Sequence, residues 1–512
     1  MQNKICDKIR TLSDIGSLVA EEQKNGKCIV HCHGVFDLLH PGHLRHLQEA
    51  KNQGDKLVVS ITPDRFVNKG PGRPAFSEKL RLEQMASLVY VDYVVLNDSP
   101  DAVSVIHKIR PNVYVKGVEY REHGTDITGK ISAETAAVES VGGKVHYTDD
   151  IVYSSSELIN RYVDQDATRI APFIDHLKKH HSLEEMISKI DELKRLRVLV
   201  VGDAIIDEYQ YVEPLGQSGK GVHLSAKLLE KEVFLGGSLI IANHLSSFVG
   251  EVTLLTGVGA ACHHVPFLGE KLAPNVKSQL IRFENYPTLT KTRFVLKDGE
   301  TITKLFETYS SNNPLLDEVN IVQVLSYLNL HASFYDLVLV CDFGNGFTTP
   351  EITSALCDQP CFLAVNTQTN SGNRGYNVVT HYRRADFISL NEPEMRLAAH
   401  DRSSRLEAIT SDIAEVLNCP LVSVTRGVNG VFILPQSEPS FAIPALTTRS
   451  LDRVGAGDSY FALAAASAAL NHPPLVTGFL GSAAAAMGVQ IVGNKEAIQK
   501  TALCKYITRL LK

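Results

Sequence analysis

Apolar positions along this 512-residue chain fall into two successive alternations of short runs and helical stripes. In the first, Cys28–Val30, Leu57–Ile61, Tyr93–Leu96, Val113–Val115 and Lys144–Tyr147 are runs of strand length. Between them apolar residues recur three and four apart, as Leu44, Leu47 and Ala50 do, which predicts amphipathic helices. Strand and helix in turn predict an α/β domain with a parallel sheet covered on both faces. The second alternation starts at Arg197–Asp203 and continues through Leu337–Val340, Phe362–Val365, Phe387–Leu390 and Leu421–Val424. Within it, residues 209–235 and 281–309 alternate at period two between turn residues, which predicts a small β element lying over a cleft as a lid. Residues 1–24 read as a polar helical lead-in. Residues 166–194 read as a charged helical connector. The expected domains are therefore 25–165 and 195–512.

Composition narrows the class. The chain is 44% hydrophobic and 21% charged, an ordinary globular balance with ample core. Its net charge of -6 and the absence of a basic run argue against nucleic acid as a partner. Nine cysteines with no C-x-x-C spacing read as reduced thiols of a cytoplasmic protein. Met1-Gln2-Asn3-Lys4 lacks an apolar signal core, and no uninterrupted apolar stretch predicts membrane insertion. His31 and His33 alternate on one strand face, but no carboxylate or thiolate set completes a zinc site with them.

The chemistry of the first half concentrates at Gly34-Val35-Phe36-Asp37-Leu38-Leu39-His40-Pro41-Gly42-His43. This stretch joins a strand to a helix, where backbone N–H groups favour anions. Gly42 allows close approach of a ligand. His40 and His43 can donate to phosphate oxygens and hold developing negative charge. Asp37 can orient a histidine or approach Mg²⁺. Lys116 stands at another strand end, where ligands of such sheets bind. Ser154-Ser155-Ser156 precedes an apolar helical pair and can grip phosphate as a helix cap, although ordinary capping explains it too. Gly124–Lys130 reads as a loop over the acceptor.

Gly34–His43 resembles the signature of the cytidylyltransferase-like nucleotidyltransferases. Within them it is most similar to the nucleotidyltransferase half of the bifunctional heptose-phosphate kinase/heptose-1-phosphate adenylyltransferases. The resemblance continues through Lys51–Asp55, Gly72-Arg73-Pro74, Arg81, Val91–Val95 and Val115-Lys116-Gly117 to Ser154–Ser156. It implies a Rossmann-like domain that binds a nucleoside triphosphate, ATP or CTP, through Gly34–Asp37, Gly42, Arg81, Lys116 and the serines. It also implies that Lys51 reaches the triphosphate and joins His40 and His43 in catalysis.

In the second half, Asp452-Arg453-Val454-Gly455-Ala456-Gly457-Asp458 runs into an alanine-rich helical stretch. Glycines before a helix make an anion-binding N-terminus. A carboxylate there can take the proton of a hydroxyl attacking a γ-phosphate. This string resembles the signature of the ribokinase-like (PfkB) sugar kinases, which implies an α/β/α fold with a β lid. By that resemblance Asp203, Asp207, Gly236, Gly237, Asn243, Lys291 and Asp342 lie on the substrate side. Thr425, Gly427, Gly455, Ala456 and Gly457 lie on the ATP side. Asn391 and Glu394 match an N-x-x-E element that orients Mg²⁺ indirectly, and Asp458 is the expected base.

Two departures bear on the substrate. Asp342-Phe343-Gly344-Asn345-Gly346 lacks the lysine usual in that element, and Asn366–Asn370 replaces an Asp-Pro-Lys. Ser238-Leu239-Ile240-Ile241 departs from the first signature as well. The kinase substrate is therefore expected to be unphosphorylated, or to have its phosphate held elsewhere, by Lys291 or Arg374. The domain order also reverses the usual fusion. The expectation is a bifunctional enzyme making a nucleotide-activated sugar, heptose-like, acting on small molecules as a homodimer or higher oligomer. Two alternatives stay open: a polyol-phosphate cytidylyltransferase with an accessory kinase, and a nucleotidyltransferase whose kinase-like half is a scaffold.

Overall fold

The short apolar runs of the N-terminal part pair side by side as one parallel sheet. Its strands are β1 (Ile9–Arg10), β2 (Ile29–Gly34), β3 (Lys56–Ile61), β4 (Tyr93–Leu96), β5 (Val113–Gly117) and β6 (Lys144–Thr148), in the order β1-β4-β3-β2-β5-β6. Neighbouring residues of a strand point to opposite faces and so feed two cores. Val30, Leu57 and Val59 pack with Leu47 and Met85 on one side. Ile29 and Val58 pack with Ile15, Val19 and Ile106 on the other. From β2 the chain builds outward through β3 and β4 in one direction, then through β5 and β6 in the other. The carboxyl end of β2 is thus a topological switch point, the place where such sheets bind ligands.

This computed structural model describes residues 7–67, 73–117, 130–148, 165–218, 221–260, 262–284, 288–298, 301–310, 316–373 and 375–511. Its contacts divide the chain into Met1–Arg169 with Cys504–Lys512, and Ile170–Leu503. The lead-in joins the first unit: β1 pairs with β4, and the helix Leu12–Lys24 buries Ile15 and Val19. The connector packs within the second unit. Its helix Leu183–Glu192 buries Met186 and Ile190, Glu192 lies 3.4 Å from His472, and Asp191 pairs with Lys500. Amphipathic periodicity had marked the buried face but not what it packs on.

The second unit carries β7 (Arg197–Gln217), β8 (Leu224–Gly237), β9 (Glu251–Gly259), β10 (Val276–Phe283), β11 (Leu289–Asp298) and β12 (Thr301–Tyr309), followed by β13 (Leu337–Asp342), β14 (Phe362–Thr367), β15 (Phe387–Asn391), β16 (Leu421–Thr425), β17 (Val431–Pro435) and β18 (Phe441–Ile443). The main sheet runs β10-β9-β7-β13-β14-β15-β16-β17-β18, with parallel pairings except the last two, β16 with β17 and β17 with β18. β7 belongs to two sheets. Its first part pairs with β9 and β13. Its remainder leaves the core and pairs with β8 and β11, and β12 follows β11. These four strands are the expected lid. Among the described residues, no helix is long and apolar enough to cross a membrane.

Candidate functional sites

In the first unit, His40 caps the helix Pro41–Asn52 and His43 lies in its first turn. Their rings stack with centroids 3.9 Å apart. Phe36 meets His43 edge-on at 5.3 Å. Phe36 adopts φ 50, and a Cβ on Gly34 would come within 3.1 Å of its ring, so Gly34 leaves room for this turn. Burial lowers the pKa of His40. Imidazole N–H groups at a helix start can donate to phosphate oxygens.

The structure separates the other expected residues from these two. Lys51 lies at the far end of the helix, about 12 Å along its axis from His43. Its Nζ bonds Asp92 at 2.6 Å. Asp37 is buried and accepts from Ala75 N, Phe76 N and Arg73 at 2.7, 3.1 and 3.1 Å. It ties down the loop after β3 and orients neither histidine. Arg81 is fully buried and donates to Val35 O, Phe76 O, Thr62 O and Asp64. Its donors hold the histidine loop from behind. Lys116 meets Glu134 at 2.7 Å, beside the Tyr114 ring. Val35 and Gly42 flank the histidines. His31 and His33 both bond Ser60 at 2.8 Å, which accounts for their alternation without zinc. No group of three metal-ligating side chains occurs among the described residues. Ser154–Ser156, the loop before Lys130 and Arg374 lie outside the described residues.

In the second unit, a cleft of about 1430 Å³ gathers Asp207, Gly237, Lys291, Asn391, Glu394, Thr425, Gly427 and Gly455–Asp458. The helix Ala456–Ala469 opens onto it. Gly455 caps that helix at φ 82, and its first intrahelical bond is Ser459 N to Gly455 O, 2.9 Å. The amides of Ala456, Gly457 and Asp458 precede that bond and have no helical acceptor. Asp458 is buried among them. Burial, with Asp207 nearby, pushes its carboxyl up to about 6, while Lys291 and a 3.1 Å bond from Gln368 pull the other way. That value suits a proton acceptor near neutral pH.

Lys291 on β11 stands opposite Asp207 on β7. It is almost wholly buried, and among the described residues it has no hydrogen-bond or ion-pair partner; only the Tyr309 and Phe343 rings flank it. Burial lowers its pKa against the pull of Asp207. Arg293, two residues on, pairs with Asp207 and with Glu307 at 3.2 Å. Asn391 and Glu394 form a reciprocal capping box, with Glu394 also accepting from Thr369 N at 3.3 Å. Burial raises Glu394 to about 7. Asn391 and Glu394 offer hard oxygen donors at the cleft wall, which suits Mg²⁺ reached through water better than direct coordination, because each already holds a backbone amide.

Four expected substrate-side residues are not among those lining this cleft. Asp203 is buried and accepts from Phe343 N, Asn345 N and Phe347 N at 2.9, 3.4 and 3.3 Å; burial raises it to about 7. Asp342 takes Gly344 N, Asn377 and Tyr382 Oη. Both carboxylates shape the loop after β13. Asn243 spans Lys271 O and Ala273 N, away from the cleft. Gly236 backs onto Asp207, where any Cβ would overlap the carboxylate. These residues match the family pattern as framework, a role that spacing cannot distinguish from ligand contact. Two important residues went unread. Gln368 donates to the Asp458 carboxylate, in the segment singled out for lacking lysine. Asp452 accepts from Tyr209 Oη and Lys304 of the lid, both at 2.6 Å, and from Val454 N and Gly493 N at 3.1 Å. Only its place in the string preceding Gly455 hinted at that.

Residues 31–161 match the cytidylyltransferase-like family, and residues 195–501 match the pfkB family carbohydrate kinases. The curated "Bifunctional protein HldE" of Syntrophotalea carbinolica is 36% identical over 161 residues, 31% of this chain and 31% of that protein. The protein of the same name from Methylobacillus flagellatus is 38% identical over 157 residues, 30% of this chain and 31% of its own length. The chain thus spans about a third of the length of these curated relatives. Among solved structures, the tetrameric inhibited form of phosphofructokinase-2 from Escherichia coli matches 62% of this chain and 100% of its own, with TM-score 0.50 and 14% identity. At that identity the likeness is one of fold.

Proposed function

We propose that this chain, which belongs to the pfkB family of carbohydrate kinases, is a bifunctional enzyme that builds a nucleotide-activated sugar. In the second unit, a hydroxyl of a sugar or sugar phosphate attacks the γ-phosphoryl group of ATP. Asp458 takes its proton, and the amides of Ala456, Gly457 and Asp458 face the charge that builds on the transferred group. Thr425 and Gly427 border the nucleotide side of the same cleft. Asn391 and Glu394 would hold Mg²⁺ through water. That ion would neutralise the phosphate oxygens. The supporting observation is Asp458 itself: a buried carboxylate in the first turn of an open helix start, a place a mere scaffold has no reason to keep.

In the first unit, an oxygen of a sugar 1-phosphate attacks the α-phosphate of ATP or CTP and releases pyrophosphate. His40 and His43 donate to the phosphate oxygens at the switch point. A heptose-like sugar is favoured by the sequence resemblance. Leu228, Leu229, Leu305 and Phe306 on the lid strands are exposed, which supports a homodimer. Localisation in the cytoplasm follows from the thiol content.

Two assays on the full chain test this. ATP turnover is measured over free and phosphorylated heptoses, hexoses and polyols, with Asp458→Asn as control. Pyrophosphate release is measured with ATP and with CTP, with His43→Ala as control. Each variant should lose only its own activity, His43→Ala by roughly 10²–10³-fold. Undiminished turnover in either variant would remove that site assignment. Strict CTP dependence with a polyol phosphate would replace the sugar by the polyol alternative.

A further inference from the structure

We propose that Gln368 is a positioning residue for the kinase base, supplying by a neutral amide the contact that holds Asp458 ready. The inference rests on the kinase role of the second unit given above. Gln368 follows the last residue of β14, at the carboxyl edge of the main sheet. Its Nε2 donates to Asp458 Oδ1 at 3.1 Å. Among the described residues, that is the one hydrogen bond made by the Asp458 carboxylate. Oδ2 is therefore left for an incoming hydroxyl, and the carboxylate is kept from rotating away from it.

The backbone under Gln368 is clamped. Its N–H donates to Asp342 O at 2.8 Å, and its carbonyl accepts from Asn373 Nδ2 at 3.2 Å and Asn377 Nδ2 at 3.4 Å. The next residue, Thr369, donates to Glu394. Asn370 and Asn373 tie the same loop to Phe343 O. A side chain on so many anchors loses little further freedom when it makes one more bond. The charged groups around Asp458 are Asp207 on β7, Lys291 on β11 and Glu394 across the cleft. Two of the three are acids, so a donor to the base matters more here than in a site lined by cations. The amide network also explains why the segment functions without the lysine expected of it. An uncharged donor keeps the base in place without adding a second cation beside Lys291.

The decisive comparison sets shape against donor capacity. Gln368→Glu keeps the shape but offers only acceptor oxygens when ionised. Gln368→Lys changes the shape but restores a donor of similar reach. Gln368→Leu removes both properties. Kinase kcat and the KM for ATP are measured on the full chain with whichever sugar the wild type accepts, and circular dichroism checks folding. A hydrogen bond to a charged group is worth roughly tenfold to a hundredfold in rate. Gln368→Leu and Gln368→Glu should lose about that much kcat with KM for ATP within about twofold. Gln368→Lys should lose less than either. If Gln368→Glu is the best tolerated of the three, packing and not donation is the role, and the inference is overturned. A Gln368→Leu variant as fast as wild type overturns it as well. A wild type without any kinase activity would instead remove the kinase role itself.

Discussion

Gly455→Ala should damage the second unit more than its size suggests. Gly455 has φ 82, where a Cβ crowds the following carbonyl at a cost of about 1–2 kcal/mol. The added methyl would also overlap Asn494 Oδ1, on a residue that is itself buried, and forcing such a contact costs about 1–3 kcal/mol. The expected loss is therefore about 2–5 kcal/mol, the sum of the two. Gly457, two residues on, gives the contrast. It has nothing within 4 Å of its Cβ position and no positive φ, so Gly457→Ala should be neutral or stabilise by about 0.4–1 kcal/mol. The assay is urea unfolding of the full chain, followed by hydrogen exchange in peptides from residues 170–503. Gly455→Ala combined with Asn494→Gly removes the overlap and leaves the backbone cost. The pair should show a coupling energy of about 1–3 kcal/mol. Additivity within about 0.5 kcal/mol, or a loss below about 1 kcal/mol in Gly455→Ala alone, would refute this account of the loop.

Other outcomes follow from the corrected geometry. Arg81→Ala leaves several buried acceptors unmatched and should cost the first unit about 3–5 kcal/mol, seen as a lower urea midpoint in peptides from residues 7–117. Lys51→Ala removes only a partly exposed ion pair and should leave the pyrophosphate-release rate within about twofold, because such pairs contribute about 0–1 kcal/mol; a loss of several hundredfold would place Lys51 in the reaction. If Asp458 is the proposed base it must work ionised, and since its carboxyl is raised to about 6, kinase kcat/KM should fall tenfold per pH unit below about 6, where an ordinary aspartate would hold its rate to about pH 4. A fragment starting at Leu193 should be less stable than one starting at Ile170, since it forfeits the burial of Met186 and Ile190, each worth about 1.5–3 kcal/mol; equal urea midpoints would show the connector to be dispensable.

The strands were legible because buried parallel strands are written as continuous apolar runs. The place of His40 and His43 was legible because strand, turn and helix each left a mark within ten residues. Lys51 misled because proximity in sequence is not proximity along a helix: the axis carries it over two turns away from His43. Arg81, Asp37, Asp203 and Asp342 were ambiguous in sequence for another reason. A polar residue that builds a ligand loop from behind occupies the same sequence position as one that touches the ligand, and only the count of its hydrogen bonds separates them. Gln368 is the converse case. An amide in place of an expected cation read as a loss, when its donor had a partner 90 residues further on.

The carboxylate of Asp452 has a consequence of another kind. It holds Tyr209 and Lys304 of the lid with one pair of bonds, and Val454 and Gly493 beside the Gly455 loop with another. Whatever shifts the lid strands changes the acceptor on which the loop depends, and the reverse is equally true. Free energies exchanged through a shared group must balance around the cycle. For the proposed kinase, the factor by which a bound sugar alters affinity for nucleotide would then be the factor by which nucleotide alters affinity for sugar. Replacing Lys304 with methionine should leave the cleft standing and bring that shared factor closer to one.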